Sequence, residues 1–257
     1  MNKSKKAIIA LISVLTALAL FLVGMMSFVI AGKGKIFNST GDNISKISKT
    51  KTVIFNKNYN LADFNSLKLD VSVADITFNQ NDTADTVTVT VYGKKDNKFN
   101  GEIKDKTLSL DETYGRVTVD LKSLFNNFGI NALKIVVSVP QNFNYPIDIS
   151  SSVGDINFQI PFTSKLDVDL DTGNFNAQNL GGKFDISTDT GDIYINNASP
   201  CENSSVETDT GDITIENMSN INVEYETDMG DAAVYNNDKN SATTLSLSTD
   251  TGDINVN

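Results

Sequence analysis

Aspartates at regular spacing are the residues of this chain best suited to chemistry. Asp-Thr-Gly occurs at Asp171, Asp189, Asp209 and Asp250, and a second acid follows a glycine at Asp155, Asp192, Asp212, Asp231 and Asp253. Paired carboxylates can share a proton and cleave peptides, as aspartic proteases do with the same tripeptide, or act as acid and base on a polysaccharide. Carboxylates combined with turn carbonyls can also surround calcium, which takes about six to eight oxygens.

Each use makes its own demand. A protease needs two aspartates on facing lobes, whereas these copies follow one another in a single array, with Asp or Asn after the glycine where that family has Ser or Thr. A polysaccharide groove needs aromatic platforms, yet the repeats carry few besides Tyr194, Tyr225 and Tyr235, and the chain has no tryptophan. Any acid pair in the array meets the spacing requirement, so none is singled out. The calcium candidates are Asp189, Asp192, Asp209, Asp212, Asp228, Asp231, Asp250 and Asp253, although their spacing is not that of the glycine-rich nonapeptide calcium rolls. Beside these readings stands a structural one, in which each carboxylate accepts turn amides and faces water.

Other chemistry is excluded by composition. There is no histidine, which removes His-based proton transfer, triads and ordinary zinc sites. Cys201 is the single cysteine, so no intrachain disulfide forms. Much enzyme chemistry is thereby excluded, so no catalytic residue and no cofactor-binding residue is assigned, and calcium is the one cofactor left open.

The elements that must position the aspartates form an internal repeat. The glycines Gly154, Gly173, Gly191, Gly211, Gly230 and Gly252 recur at intervals of 19, 18, 20, 19 and 22 residues. Seven and five residues before each glycine stand mostly apolar residues, such as Phe184 and Ile186, and two and four residues after it stand others, such as Ile193 and Ile195. A spacing of two is strand periodicity, so each copy reads as strand, glycine turn, strand and polar return. One coil cannot bury its apolar row alone, but coils stacked about 4.8 Å apart bury it against neighbours. Three residues before the glycine, Ser151, Leu170, Thr188, Thr208, Thr227 and Thr249 form a mostly hydroxyl column that can pair from coil to coil.

Residues 1–31 carry Lys3, Lys5 and Lys6, then 25 uncharged residues from Ala7 to Ala31. That length spans a bilayer and exceeds an ordinary signal h-region, which favours an uncleaved signal anchor even though Val29-Ile30-Ala31 resembles a cleavage site. The lysine cluster places the amino terminus inside and the remainder outside the cell. Residues 32–50, rich in Gly, Ser, Asn and Lys, read as a flexible linker, and 51–257 as one all-β domain. Its half 51–145 is irregular and caps the array; its half 146–257 holds the regular repeats. Leu67, Leu69, Val71, Ala74, Ile76 and Phe78 fit the repeat columns as an early coil, with Ala74 in the glycine position.

The chain has 21 basic and 32 acidic residues, and the imbalance belongs to the repeats: from Pro146 onward there are 20 acids against Lys165, Lys183 and Lys239. Such a surface repels phosphate, so nucleic acid is not a partner. The last motif ends at Val256-Asn257, which leaves a carboxyl-terminal strand edge open to self-association.

The Leu67 to Phe78 coil, the Leu133 to Pro140 strand and the Ser/Thr-x-x-Gly-Asp-Ile runs resemble the bacterial putative-adhesin family of β-strand-repeat proteins, which includes LiaG-like envelope proteins. The resemblance covers about 51–257 and implies a right-handed parallel β-helix, with the hand also following crossover chirality. It further implies a transmembrane segment, an extracellular bulk, and a link to adhesion or envelope stress, with no catalytic residues to carry over. Ala74, Asn174 and Met229 depart from the repeat. The expected protein is thus a single-pass, membrane-anchored β-solenoid that binds a cell-envelope polymer or surface protein, without turnover. The alternatives are a polysaccharide-active β-helix enzyme and a calcium-stabilised rod.

Overall fold

A computed structural model describes residues 52–112, 132–218 and 220–257. The expected membrane span over 1–31 and the linker 32–50 lie outside them, and among the described residues no helix is long and apolar enough to cross a membrane. All regular structure there is strand, apart from one 3-10 turn at Leu61–Asp63.

Alternating sequences produce two walls of parallel strands. The strands before each glycine, such as Leu166–Thr172, Phe184–Thr190 and Ser204–Thr210, stack in one wall. Those after it, such as Phe175–Gly182, Ile193–Asn196 and Ile213–Glu216, stack in the other. The register joins like positions, with Leu166 beside Phe184 and Ile193 beside Ile213. Inward residues therefore form apolar columns, and burial follows the period of two along the inner strands, as in Leu133–Val139 and Phe184–Thr190. Phe78 and Phe158 stack in one such column with ring centroids 4.4 Å apart, and Phe175, from the adjoining Ile76–Ile156 column, packs against Phe158 at 5.8 Å.

The early coil is present as a single strand, Ser66–Gln80, that runs through both walls. Its first half pairs Leu67 with Ile147 and its second pairs Phe78 with Phe158. Ala74 tolerates the glycine position because it takes no positive φ. Below it lie Thr107–Glu112 and Leu133–Val139, both parallel to it. Beyond these the direction reverses. Thr86–Gly93 runs antiparallel to Leu133–Val139, Thr52–Asn60 antiparallel to Thr86–Gly93, and Phe99–Lys104 antiparallel to Thr107–Glu112.

At the far end the order of coils departs from the order of the chain. The last coil, Thr244–Thr251 and Ile254–Val256, sits between the Gly211 coil and the Gly230 coil rather than outside both. Leu245 pairs with Ser204 on one side and Val223 on the other, and Ile254 lies between Ile213 and Ala232. Side-chain content explains the inversion. The last coil supplies Leu245, Leu247, Ile254 and Val256 to the interior, all at most 2% exposed. The Gly230 coil offers Tyr225 and Ala232 in two of those four columns, so more apolar area leaves water when the aliphatic coil is the inner one. The expected open edge at the carboxyl terminus is accordingly corrected: Val256 is paired on both sides, and the edge strands are Asn222–Met229 and Ala232–Val234.

Candidate functional site

The glycine turns are where the two walls meet, and their backbone sets the positions of the acids. Gly211 has φ 155°, and a Cβ there would lie 2.0 Å from the Gly191 carbonyl oxygen of the coil below. The same contact recurs at Gly154, Gly173, Gly191, Gly230 and Gly252, each against the turn carbonyl of its stack neighbour. Close stacking of the turns thus requires a residue without a Cβ.

Two side-chain ladders flank this column. The hydroxyls of Thr188, Thr208, Thr249 and Thr227 donate to the carbonyls of Gly173, Gly191, Gly211 and Gly252 at 3.4, 3.1, 3.1 and 3.0 Å. The hydroxyl column is therefore inward, tying each strand to the turn of the neighbouring coil. Ser151, its first member, is buried with no partner for its hydroxyl.

The acid after each glycine accepts the backbone N–H of its counterpart one coil along. Asp155 receives Asn174 at 2.9 Å, Asp192 receives Asp212 at 3.0 Å, Asp212 receives Asp253 at 2.8 Å, and Asp253 receives Asp231 at 2.8 Å. Asn174 departs from the acidic pattern but keeps the ladder, since its Oδ1 accepts from Asp192 at 2.8 Å. The position therefore needs a carbonyl-type oxygen; a charge is optional. The other column, Asp171, Asp189, Asp209, Asp250 and Asp228, points outward and is exposed.

What this does chemically is bond coil to coil. The Asp-Thr-Gly tripeptides lie in one column on one face and not across a cleft from each other. Among the described residues no group of three or more His, Cys, Asp or Glu is placed to hold a metal ion. Of the eight calcium candidates, Asp189, Asp209, Asp228 and Asp250 lie in the outward column, while Asp192, Asp212 and Asp253 accept amides in the ladder that Asp231 ends. Cys201 is exposed on the return between coils.

Sequence reasoning missed a broader surface, the outer face of the wall before the turns. Asp148, Asp167, Asp169, Asp185, Ser187 and Glu207 line a shallow groove there. Lysines moderate its near half: Lys68 reaches Asp148 at 3.4 Å, Lys165 pairs with Asp167, and Lys183 with Asp185 at 3.0 Å. Partial burial alone would raise the Asp185 carboxyl, but hydrogen bonds from Lys183 and Ser205 outweigh it and hold the group below the usual carboxylate range. The hydrogen bond to Asp167 raises the Lys165 ammonium. The opposite wall carries a hydrogen bond of 2.7 Å from Tyr194 to Glu216, which raises the Tyr194 phenol. The signal was in the alternation itself, since Asp167, Asp169 and Asp171 occupy the outward positions of one strand.

Comparison with known proteins adds a family. The Toastrack DUF4097 family matches residues 64–257. No protein of curated function matches the chain. Among solved structures, a putative cell adhesion protein from Clostridium sporogenes is similar at 12% identity and TM-score 0.42, over 80% of this chain and 99% of that one. A putative adhesin from Bacteroides fragilis gives 18% identity and TM-score 0.41, over 82% and 98%. Another from Parabacteroides distasonis gives 16% and 0.35, over 78% and 96%. With its glycine-turn coils and the match from residue 64 to the end, the chain belongs to the Toastrack DUF4097 family.

Proposed function

We propose that this protein is an exported, membrane-anchored binding module of the cell envelope that acts without catalytic turnover. One observation carries the reading: the outward acids repeat from coil to coil on a continuous wall, with equivalent positions and no unique cluster. Repeated weak contacts of this kind gain strength by multivalency, which suits a polymer or a surface protein of the envelope. The uncharged stretch from Ala7 to Ala31 supports a single-pass anchor with the β-domain outside, and the family resemblance supports a right-handed coil and a role in adhesion or envelope stress.

The test is sedimentation of the purified protein with isolated cell envelopes, in calcium or in chelator. Retention in the pellet under both conditions is the expected result. Release of reducing ends from envelope glycans, abolished by one Asp→Asn change, would replace the reading with a polysaccharide-active enzyme. Retention only with calcium would move it to a calcium-dependent module.

A further inference from the structure

The Gly230 coil is the outermost parallel layer, and several features mark it as a layer awaiting another. Asn222–Met229 pairs with Thr244–Thr251 and Ala232–Val234 with Ile254–Val256, and among the described strands neither has a partner on its other side. Tyr225 stands in a column whose other members, Ile149, Val168, Ile186, Val206 and Leu247, are buried, yet it is 50% exposed, and Met229 is 65% exposed. Asp231 ends the acid ladder, with no further coil to donate an amide. Among the described residues the edge is protected at its start, where the Asp238 N–H donates to the Ile221 carbonyl at 3.0 Å. The Asn237 side chain accepts from the Val223 N–H and donates to its carbonyl, both at 2.9 Å, in place of a neighbouring strand.

Charge selects the occupant. Glu224, Glu226 and Asp228 project outward from this edge, and from Cys201 to Asn257 there are 12 acids against Lys239 alone. Another repeat of this chain would set Asp against Asp228, since from Gly173 onward every residue two before a repeat glycine is Asp. A basic layer would instead reproduce a pair already present in the stack, Lys68 against Asp148 in the neighbouring coil. The turn adds a steric rule, because each layer above a turn carbonyl carries glycine.

We propose that the Gly230 coil seats a strand-turn-strand segment of a second protein, with aliphatic residues inward, lysine or arginine outward, and glycine at the turn. The segment adds one coil by β-augmentation: main-chain bonds hold it, while Glu226 and Asp228 choose its charge. The inference rests on the binding-module reading. It is separable from it, because envelope retention can persist when this edge is blocked.

The experiment titrates the full-length chain, in non-ionic detergent, into a fluorescent peptide Val-Lys-Thr-Lys-Thr-Gly-Lys-Ile-Asn-Val and follows anisotropy. Controls replace its lysines by glutamate or its glycine by valine. Saturable binding of the first peptide alone is expected, weakened about tenfold or more by half-molar salt. The exposed double variant Glu226→Lys with Asp228→Lys should reverse the preference to the glutamate peptide. Absence of binding overturns the proposal, as does equal binding of the valine control or of the lysine peptide to the reversed variant, since either means general attraction to an acidic face. A dimer in sedimentation velocity that Tyr225→Asn dissociates also overturns it, by making a second copy the occupant.

Discussion

At the end built from Thr52–Asn60 and Phe99–Lys104 the outer strands are antiparallel, and Phe55 meets Phe99 edge to face at 5.2 Å. At the other end the Gly230 coil is parallel to its neighbour and leaves Tyr225 and Met229 half or more exposed. The first end terminates each wall in an antiparallel strand and joins the two outer strands through the Phe55–Phe99 contact. The second stops the core at an unfinished layer. Antiparallel strands can end a solenoid because they break the coil repeat and let aromatic side chains pack between the walls, whereas one more parallel coil only repeats the opening.

Removing 244–257 should break this contrast most severely. The last coil lies beneath the Gly230 coil, so its loss removes an interior layer, and hydrogen exchange should report lost protection across both Ser204–Glu216 and Asn222–Val234. Stacking in chain order would leave both segments protected, which makes the outcome a direct check on the inversion. Gly211→Val follows, costing about 3–5 kcal/mol in denaturant unfolding, from strain at φ 155° and collision with the Gly191 carbonyl. Ala74→Gly, at the closed end, should cost only about 1 kcal/mol, through backbone entropy.

The closed end should also have its own alkaline weakness. Burial pushes the Tyr59 phenol up to about 12, and its hydroxyl has no partner. The unfolded chain ionises near pH 10 while the folded one resists, so stability is complete below pH 10 and falls as pH rises towards 12, by about 2 kcal/mol. Tyr59→Phe should flatten that part of the stability profile. The smallest contrast is between hydroxyls: Thr208→Val loses the bond to Gly191 and should cost about 1 kcal/mol, whereas Ser151→Ala loses none and should be close to neutral in the same unfolding assay.

Much of this was legible in the residues. The two-residue alternation and the glycine interval place Phe184, Ile186, Ile193 and Ile195 in the interior, because a strand in a stack has only two sides. Even the degenerate coil at Ala74 could be read, since five apolar neighbours keep the columns. The acid ladder was visible as a pattern but not as a bond, because an acid two residues before a glycine and one after it look alike in a string. Only backbone direction separates the outward Asp209 from Asp212, which accepts the Asp253 amide.

The amino-acid sequence by itself determined the coil: its strands, its turn glycine and its buried columns all follow from local periodicity and the need to remove Cβ atoms from a close contact. Tertiary structure alone decided the order of the coils. Every repeat carries compatible edges, so pairing rules permit several stacks, and the choice falls to total burial, which places Leu245, Leu247 and Ile254 inside and leaves Tyr225 at the edge. That sum runs over strands distant in the chain, and no local pattern contains it.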